Sequence, residues 1–316
     1  MIWQPTDENI SKAGKILLDG GIGAIPTETV YGLAGNALNT FAVAKIFEAK
    51  NRPTFNPLIV HIHSFLQLSQ IADFDIQTIQ HILQNFWPGP LTVVLPKKEI
   101  ISDLVTGDKD SVAVRMPNHP VTLKLLKQFD LMVAAPSANP FNYISPTTAK
   151  HVEGQLGNKI DFILDGGSSE IGIESTVISF AEKVPVLLRH GGISIEEIRN
   201  WIPQIEENTF SENSPDSPGQ LKHHYSPKTP MKFWMGEELK SDKTGFLSWN
   251  YIPEISSVKT LKLSETQNFI EAAANLFNLL HLFDKMNLDI IYVQPIPEIG
   301  LGRAVMDRLK RAVNNY

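Results

Sequence analysis

The sequence predicts an α/β protein in two parts: a sheet domain over residues 1–205 and a smaller α/β domain over 231–316. Three observations carry this. Runs of β-branched residues alternate with helix-period stretches through the first two hundred residues, as in a sheet covered by helices on at least one face. Glu206 to Gly219 (EENTFSENSPDSPG) is acidic, rich in Ser and Pro and without apolar period, which marks a linker over 206–230. Beyond it, strand and helix patterns resume.

Thr6 reads as a helix N-cap; Ile10, Ala13, Ile16 and Leu17 follow at helical spacing, and Gly20-Gly21 stop the helix. Ile22 to Pro26 reads as a short buried strand running into a loop. A second helix places Val43, Ile46 and Phe47 on one face and ends near Lys50, ahead of Pro53. Strand-like runs then fall at 58–60, 91–95, 112–114, 131–135, 162–164, 175–178 and 186–188. Helical stretches at 64–86, 120–128 and 147–156 separate several of them. The last two runs have only a short connection, so the sheet need not be purely parallel. In the second domain, apolar runs at 231–234, 246–249 and 290–293 accompany an amphipathic helix over 266–284 and a basic helix from Gly302 to Val313.

Composition narrows the function. The 316 residues are 42% hydrophobic and 20% charged, as in an ordinary globular chain. With 28 Lys and Arg against 34 Asp and Glu, the net charge is −6, which argues against a protein that grips nucleic acid by bulk charge. The absence of cysteine excludes disulfide frameworks, thiolate catalysis, zinc ribbons and iron–sulfur ligation. The N-terminus carries acids and no apolar core, and no run of about 18 apolar residues occurs, so the expectation is a soluble cytoplasmic protein.

The familiar nucleotide motifs fail. Gly21-Ile22-Gly23 runs into Pro26 where a dinucleotide fingerprint needs glycine, and Gly14-Lys15 lacks the flanking residues of a P-loop. No Cys or Asp completes a metal-ligand set around His61 and His63, and there is no G-x-S-x-G elbow. What remains are polar clusters at strand ends, among them Thr27 and Thr29, Lys50, Arg52 and Asn56, Ser111 and Arg115, Ser137 and Asn139, Glu174-Ser175-Thr176, and Arg189. Four cations with few acids beside them, mixed with hydroxyls, suit polyphosphate and carboxylate recognition. Taken singly, each also fits a turn, a cap or an exposed strand position.

Taken in order they resemble one family. PTETVYGL at 26–33, K-x-R at 50–52, NPLIVH at 56–61, WPGPLT at 87–92, VAVRMP at 112–117, APSAN at 135–139, SPTTA at 145–149, IESTV at 173–177 and LRHGG at 188–192 are similar to the threonylcarbamoyl-AMP synthases in their long, two-domain Sua5 form. The resemblance continues through SPG…HYSP at 217–227 to GLGRAVMDRL at 300–309. It implies a twisted, mixed-sheet YrdC-like domain with a concave basic groove, and a Rossmann-like second domain. The implied reaction condenses L-threonine, bicarbonate (or CO2) and ATP to threonylcarbamoyl-adenylate and pyrophosphate, for passage to a tRNA threonylcarbamoyltransferase complex. Carried over by motif, Thr29, His61, Arg115, Ser175 and the backbone of Ala135 surround threonine. Arg52, Asn56, Ser111, Ser137, Ser145, Arg189 and Tyr225 surround ATP. The K-x-R and S-x-N pairs (Lys50, Arg52, Ser137, Asn139) form the catalytic set, with Lys50 near the phosphates and Asn139 near an ATP-bound Mg2+, and the linker folds over as a lid through Tyr225. Asn142 stands where the family usually has Gly, and Asn tolerates positive φ. The alternative is a non-catalytic RNA-binding module using the groove, against which the net charge and the lack of interleaved aromatics weigh.

Overall fold

A computed structural model describes residues 1–208, 225–239, 242–253 and 257–313. In chain order the first domain contains β1 (Ile2–Trp3), α1 (Asp7–Leu18), β2 (Gly23–Ile25), β3 (Gly32–Asn36), α2 (Thr40–Lys50), β4 (Ile59–His61), α3 (Phe65–Ile71), α4 (Ile76–Phe86) and β5 (Leu91–Pro96). There follow α5 (Asp103–Thr106), β6 (Ser111–Arg115), α6 (Pro120–Phe129), β7 (Val133–Ala134), α7 (Ala149–Leu156), β8 (Phe162–Leu164), β9 (Thr176–Ser179), β10 (Val186–Arg189), α8 (Ile195–Arg199) and β11 (Glu206–Glu207). The second contains β12 (Met231–Phe233), β13 (Thr244–Ser248), β14 (Lys259–Lys262), α9 (Phe269–Asp284), β15 (Ile290–Val293) and α10 (Gly302–Val313).

Local chemistry sets the boundaries. The Thr6 side chain accepts the Asn9 amide at the start of α1, a cap of about 1 kcal/mol. Asn51, at φ 51°, closes α2 in the left-handed conformation that asparagine tolerates. The 64–86 stretch forms two helices rather than one: it breaks after α3, where the main chain at Ala72 bridges to Lys97, and Asp75 caps α4. β3 has no β-branched residue and was not expected as a strand. Its glycines let helix and sheet close up; a Cβ on Gly35 would lie 3.1 Å from Ile46 Cδ1 and 3.2 Å from Ile22 Cγ2.

The eleven strands of the first sheet run in the order β1-β8-β2-β3-β7-β4-β6-β5-β9-β10-β11, mixing parallel and antiparallel pairs. The expected start of the linker is itself β11, paired in parallel with β10. One face of the central strands (Val60, Val93, Val112, Val114, Ile178) is packed in the main core with α2, α3 and α4. The opposite face carries Ile59, Val94, Ala113, Val177 and Leu188, and it is this face that floors the site. The second domain is a four-stranded, all-parallel sheet, order β12-β15-β13-β14, packed with α9 and α10 in a core that also takes in Val30, Ile144, Ile173 and Tyr225. Asn142 has φ 65°, the conformation for which asparagine can replace glycine. No helix among the described residues is long and apolar enough to cross a membrane.

Candidate functional site

Strand register assembles the site. His61 pairs with Arg115, Arg115 with Thr92, Thr92 with Val177, and Val177 with Arg189, forming one row across five neighbouring strands. Cross-strand partners share a face, so the row places an imidazole, two guanidiniums and a hydroxyl together on the apolar floor. The site thus spreads over the sheet face as well as its end loops. A partly open pocket lies over it, lined by Thr27, Thr29, Val30, Gly32, Arg52, Ile59, His61, Arg115, Ala135, Pro136, Ser137, Glu174, Ser175, Arg189 and Tyr225.

Arg115 is the organising group, 4% exposed. Its Nε donates to the Gly89 carbonyl at 3.2 Å, Nη1 donates to Thr29 Oγ1 at 2.8 Å, and Nη2 pairs with Glu28 Oε1 at 2.7 Å. A guanidinium has five N–H donors, so two remain for a ligand. Thr27 Oγ1 lies 2.9 Å from Thr29 Oγ1 and donates to the Val30 carbonyl, shaping the turn. Burial first, then the Arg115 charge, lowers the His61 pKa to about 3, so its ring is neutral. Its Nδ1 is 3.3 Å from the Ile59 carbonyl, which only accepts, so that nitrogen carries the proton and Nε2 is an acceptor. Arg189 donates through Nε to the Ser175 carbonyl and through Nη2 to Ser175 Oγ, both at 3.0 Å, and Ser175 Oγ lies 2.7 Å from Thr92 Oγ1. The Ala135 N–H donates to the Ile59 carbonyl.

The two short motifs meet physically. Lys50, 1% exposed, donates from Nζ to the carbonyls of Ser137 and Asn139, tying K-x-R to S-x-N from behind the cavity wall. Burial, then the neighbouring Arg52, lowers its pKa. Arg52 lines the cavity and is held by Asn56, whose side-chain oxygen accepts from Nη2 at 2.6 Å and whose carbonyl accepts from Nε at 3.2 Å. Burial lowers the Arg52 pKa to about 9, with Tyr225 opposing that and Arg189 reinforcing it. Asn56 therefore acts through Arg52. Ser145 is buried and donates to Glu174 Oε1 at 2.6 Å. Ser111 shares the cavity face with Arg115 but lies four residues back along β6, about 13 Å away. Tyr225 lines the cavity at φ 66°, stacked 5.5 Å from Phe277 of α9. The rest of the expected lid, 209–224, lies outside the described residues.

The expectation of few acids was wrong: Glu28 faces Arg115, and Glu174 lines the cavity. Both sit inside segments read for their hydroxyls, and only three-dimensional pairing distinguishes them from turn residues. Thr92 and Arg308 were also missed; an apolar strand run and a basic helix conceal them.

Comparisons with known proteins place the chain in a family. The family model described as "Telomere recombination" matches residues 15–191, and that described as "Threonylcarbamoyl-AMP synthase, C-terminal domain" matches 193–313. A threonylcarbamoyl-AMP synthase of Pyrococcus abyssi is 41% identical over 95% of this chain and 92% of its own. The chain belongs to the threonylcarbamoyl-AMP synthases. Another member, from Bacillus subtilis, is 39% identical over 97% of this chain and 93% of its own. The crystal structure of P. abyssi Sua5 complexed with L-threonine superposes with a TM-score of 0.91, at 38% identity, over 99% of this chain and 98% of that one. Membership makes the chain a nucleotidyltransferase-type enzyme, and its activity is that of the family, synthesis of threonylcarbamoyl-AMP.

Proposed function

We propose that the cavity binds L-threonine against Arg115 and ATP against Arg52, Ser137 and Arg189, and joins them through bicarbonate. The observation that carries this is one partly open pocket lined by all of these groups at once. The two remaining donors of Arg115 take the threonine carboxylate; Thr29, Ser175 and the neutral His61 Nε2 orient its hydroxyl and amine. The amine adds to bicarbonate with loss of water, or to CO2 with loss of a proton, giving a carbamate. A carbamate oxygen then attacks the α-phosphorus of ATP, and pyrophosphate leaves. Carbamates are short-lived in water, so positioning the reactants and keeping water from the carbamate are part of the catalysis. Buried cations of pre-set direction offset the charge that grows on the leaving phosphates, and Lys50 fixes the loop that presents Ser137.

Mg2+ with ATP fits the residues present. Asn139 Oδ1 is buried without a hydrogen-bond partner among the described residues, while Nδ2 donates to the carbonyls of Pro140 and Tyr143. An amide oxygen is a hard ligand of the kind Mg2+ accepts. No cluster of three His, Asp or Glu that could hold a metal occurs among the described residues, so phosphates and waters would complete the shell. Bound there, the ion supplies charge neutralisation at the phosphates. The product goes on to a tRNA threonylcarbamoyltransferase in the cytoplasm, with weak or no direct tRNA binding by this chain. The test is pyrophosphate release with ATP, threonine and bicarbonate omitted in turn. Each omission should abolish it; release without threonine would refute the reading.

A further inference from the structure

Glu174 is a buried carboxylate on the wall of the cavity, among the groups that face ATP in the reading above, and that reading gives it no role. Its Oε1 accepts from Ser145 Oγ, and its Oε2 accepts from Arg308 Nε at 3.1 Å. Arg308 comes from the other domain. It lies in the middle of α10 and is 0% exposed, its Nη1 donating to the His190 carbonyl at 2.6 Å and to Asp307 Oδ2 at 3.0 Å. Its guanidinium carbon stands 5.3 Å from the centre of the Tyr225 ring, a cation–π contact with a residue that also lines the cavity.

A bare carboxylate on this wall would repel a triphosphate. Paired with Arg308, while Asp307 beside it is matched by Arg311, it adds no net charge and still orients the Ser145 hydroxyl. The long α10 with its basic face is therefore more than packing. We propose that the second domain completes the active site by supplying the counter-charge of Glu174, and that Arg308 is a positioning residue for ATP. This rests on the cavity's being an ATP site. It assigns the domain a chemical duty that a lid alone does not have: setting the charge of the nucleotide wall.

The experiment measures KM for ATP and for threonine in Arg308→Gln, Glu174→Gln and the double variant, with thermal unfolding of each. Removing the cation leaves one extra negative charge, so Arg308→Gln should raise the KM for ATP about tenfold and leave that for threonine within about twofold. Removing the carboxylate leaves one extra positive charge, so Glu174→Gln should lower the KM for ATP about threefold. The double variant, with neither charge, should return to within about threefold of the wild type. Opposite signs with mutual rescue are not produced by lost packing. If Arg308→Gln does not fold, the direction of the Glu174→Gln shift still decides. The proposal is overturned if Glu174→Gln raises the KM for ATP, if the double variant is no better than Arg308→Gln, or if both KM values move together. A wild-type enzyme that releases no pyrophosphate with threonine would instead overturn the reading of the site itself.

Discussion

Replacing Arg115 with alanine removes a guanidinium that touches Gly89, Thr29 and Glu28 and, in the proposed complex, the substrate carboxylate. Two consequences follow and can be separated. Glu28 is left buried without its cation, holding only the Asn118 amide, which costs up to about 3–5 kcal/mol of stability, since breaking a buried pair from one side strands the other charge. The substrate loses two hydrogen bonds to a charged donor, about 3 kcal/mol together, or roughly a hundredfold in affinity. The pair Glu28→Gln with Arg115→Gln strands no charge, so most of the stability should return while threonine affinity does not. The assay is pyrophosphate release against threonine concentration at saturating ATP and bicarbonate, beside denaturant unfolding of each variant. If Arg115→Ala keeps the wild-type KM for threonine, or the double variant regains affinity together with stability, Arg115 is a structural residue and the site assignment fails.

Other consequences can be measured with the same assays. Lys50→Met should lower kcat/KM at least tenfold, because the Asn139 carbonyl loses its Lys50 donor at about 1–3 kcal/mol, the Ser137 carbonyl keeps only the Asn139 amide, and the loop presenting Ser137 is released; near wild-type kinetics would contradict the link between the motifs. Gly191→Ala should abolish activity, because a Cβ there would lie 2.3 Å from the Ser175 carbonyl carbon and 2.4 Å from the Glu174 oxygen, both backbone; an active variant would contradict the tight approach. Burial lowers the pKa of His61 to about 3, of His151 to about 3 and of His281 to about 4, against about 6.5 in an unfolded chain. The unfolded chain then binds more protons below pH 6.5, so their contribution to stability is complete above that pH and is lost as pH falls toward 3. Urea unfolding at pH 7.5 and 5 should show the drop, smaller in His281→Phe; a stability flat to pH 4.5 would refute it. Valine, which lacks the hydroxyl that Thr29 and Ser175 orient in the proposed complex, should be rejected by roughly a hundredfold or more relative to threonine in kcat/KM.

The fold was legible where side chains obey a period. Thr6 and its amphipathic helix and the β-branched strands at 58–60, 91–95 and 112–114 all have local causes. β3 was not legible, because Gly32, Ala34 and Gly35 are there for close approach rather than for strand preference. β14, half-buried and lysine-flanked, likewise lacks an apolar signature. In the site, hydroxyls and cations in Pro- and Gly-marked loops were visible as types, but their grouping depends on register across five strands. Counter-ions are harder still: Glu174 and Arg308 are 134 residues apart, and nothing in either segment points to the other.

The chemistry at the α-phosphate tests the account most directly. Incubating the enzyme with ATP, threonine and 13C-labelled bicarbonate and following 13C NMR should show the label leaving the bicarbonate resonance for a carbamoyl carbon attached to AMP, with pyrophosphate formed in equal amount. If pyrophosphate forms while the label stays in bicarbonate, with threonine joined to AMP through its own carboxylate, then the cavity runs plain amino-acid adenylation and the carbamate route is wrong.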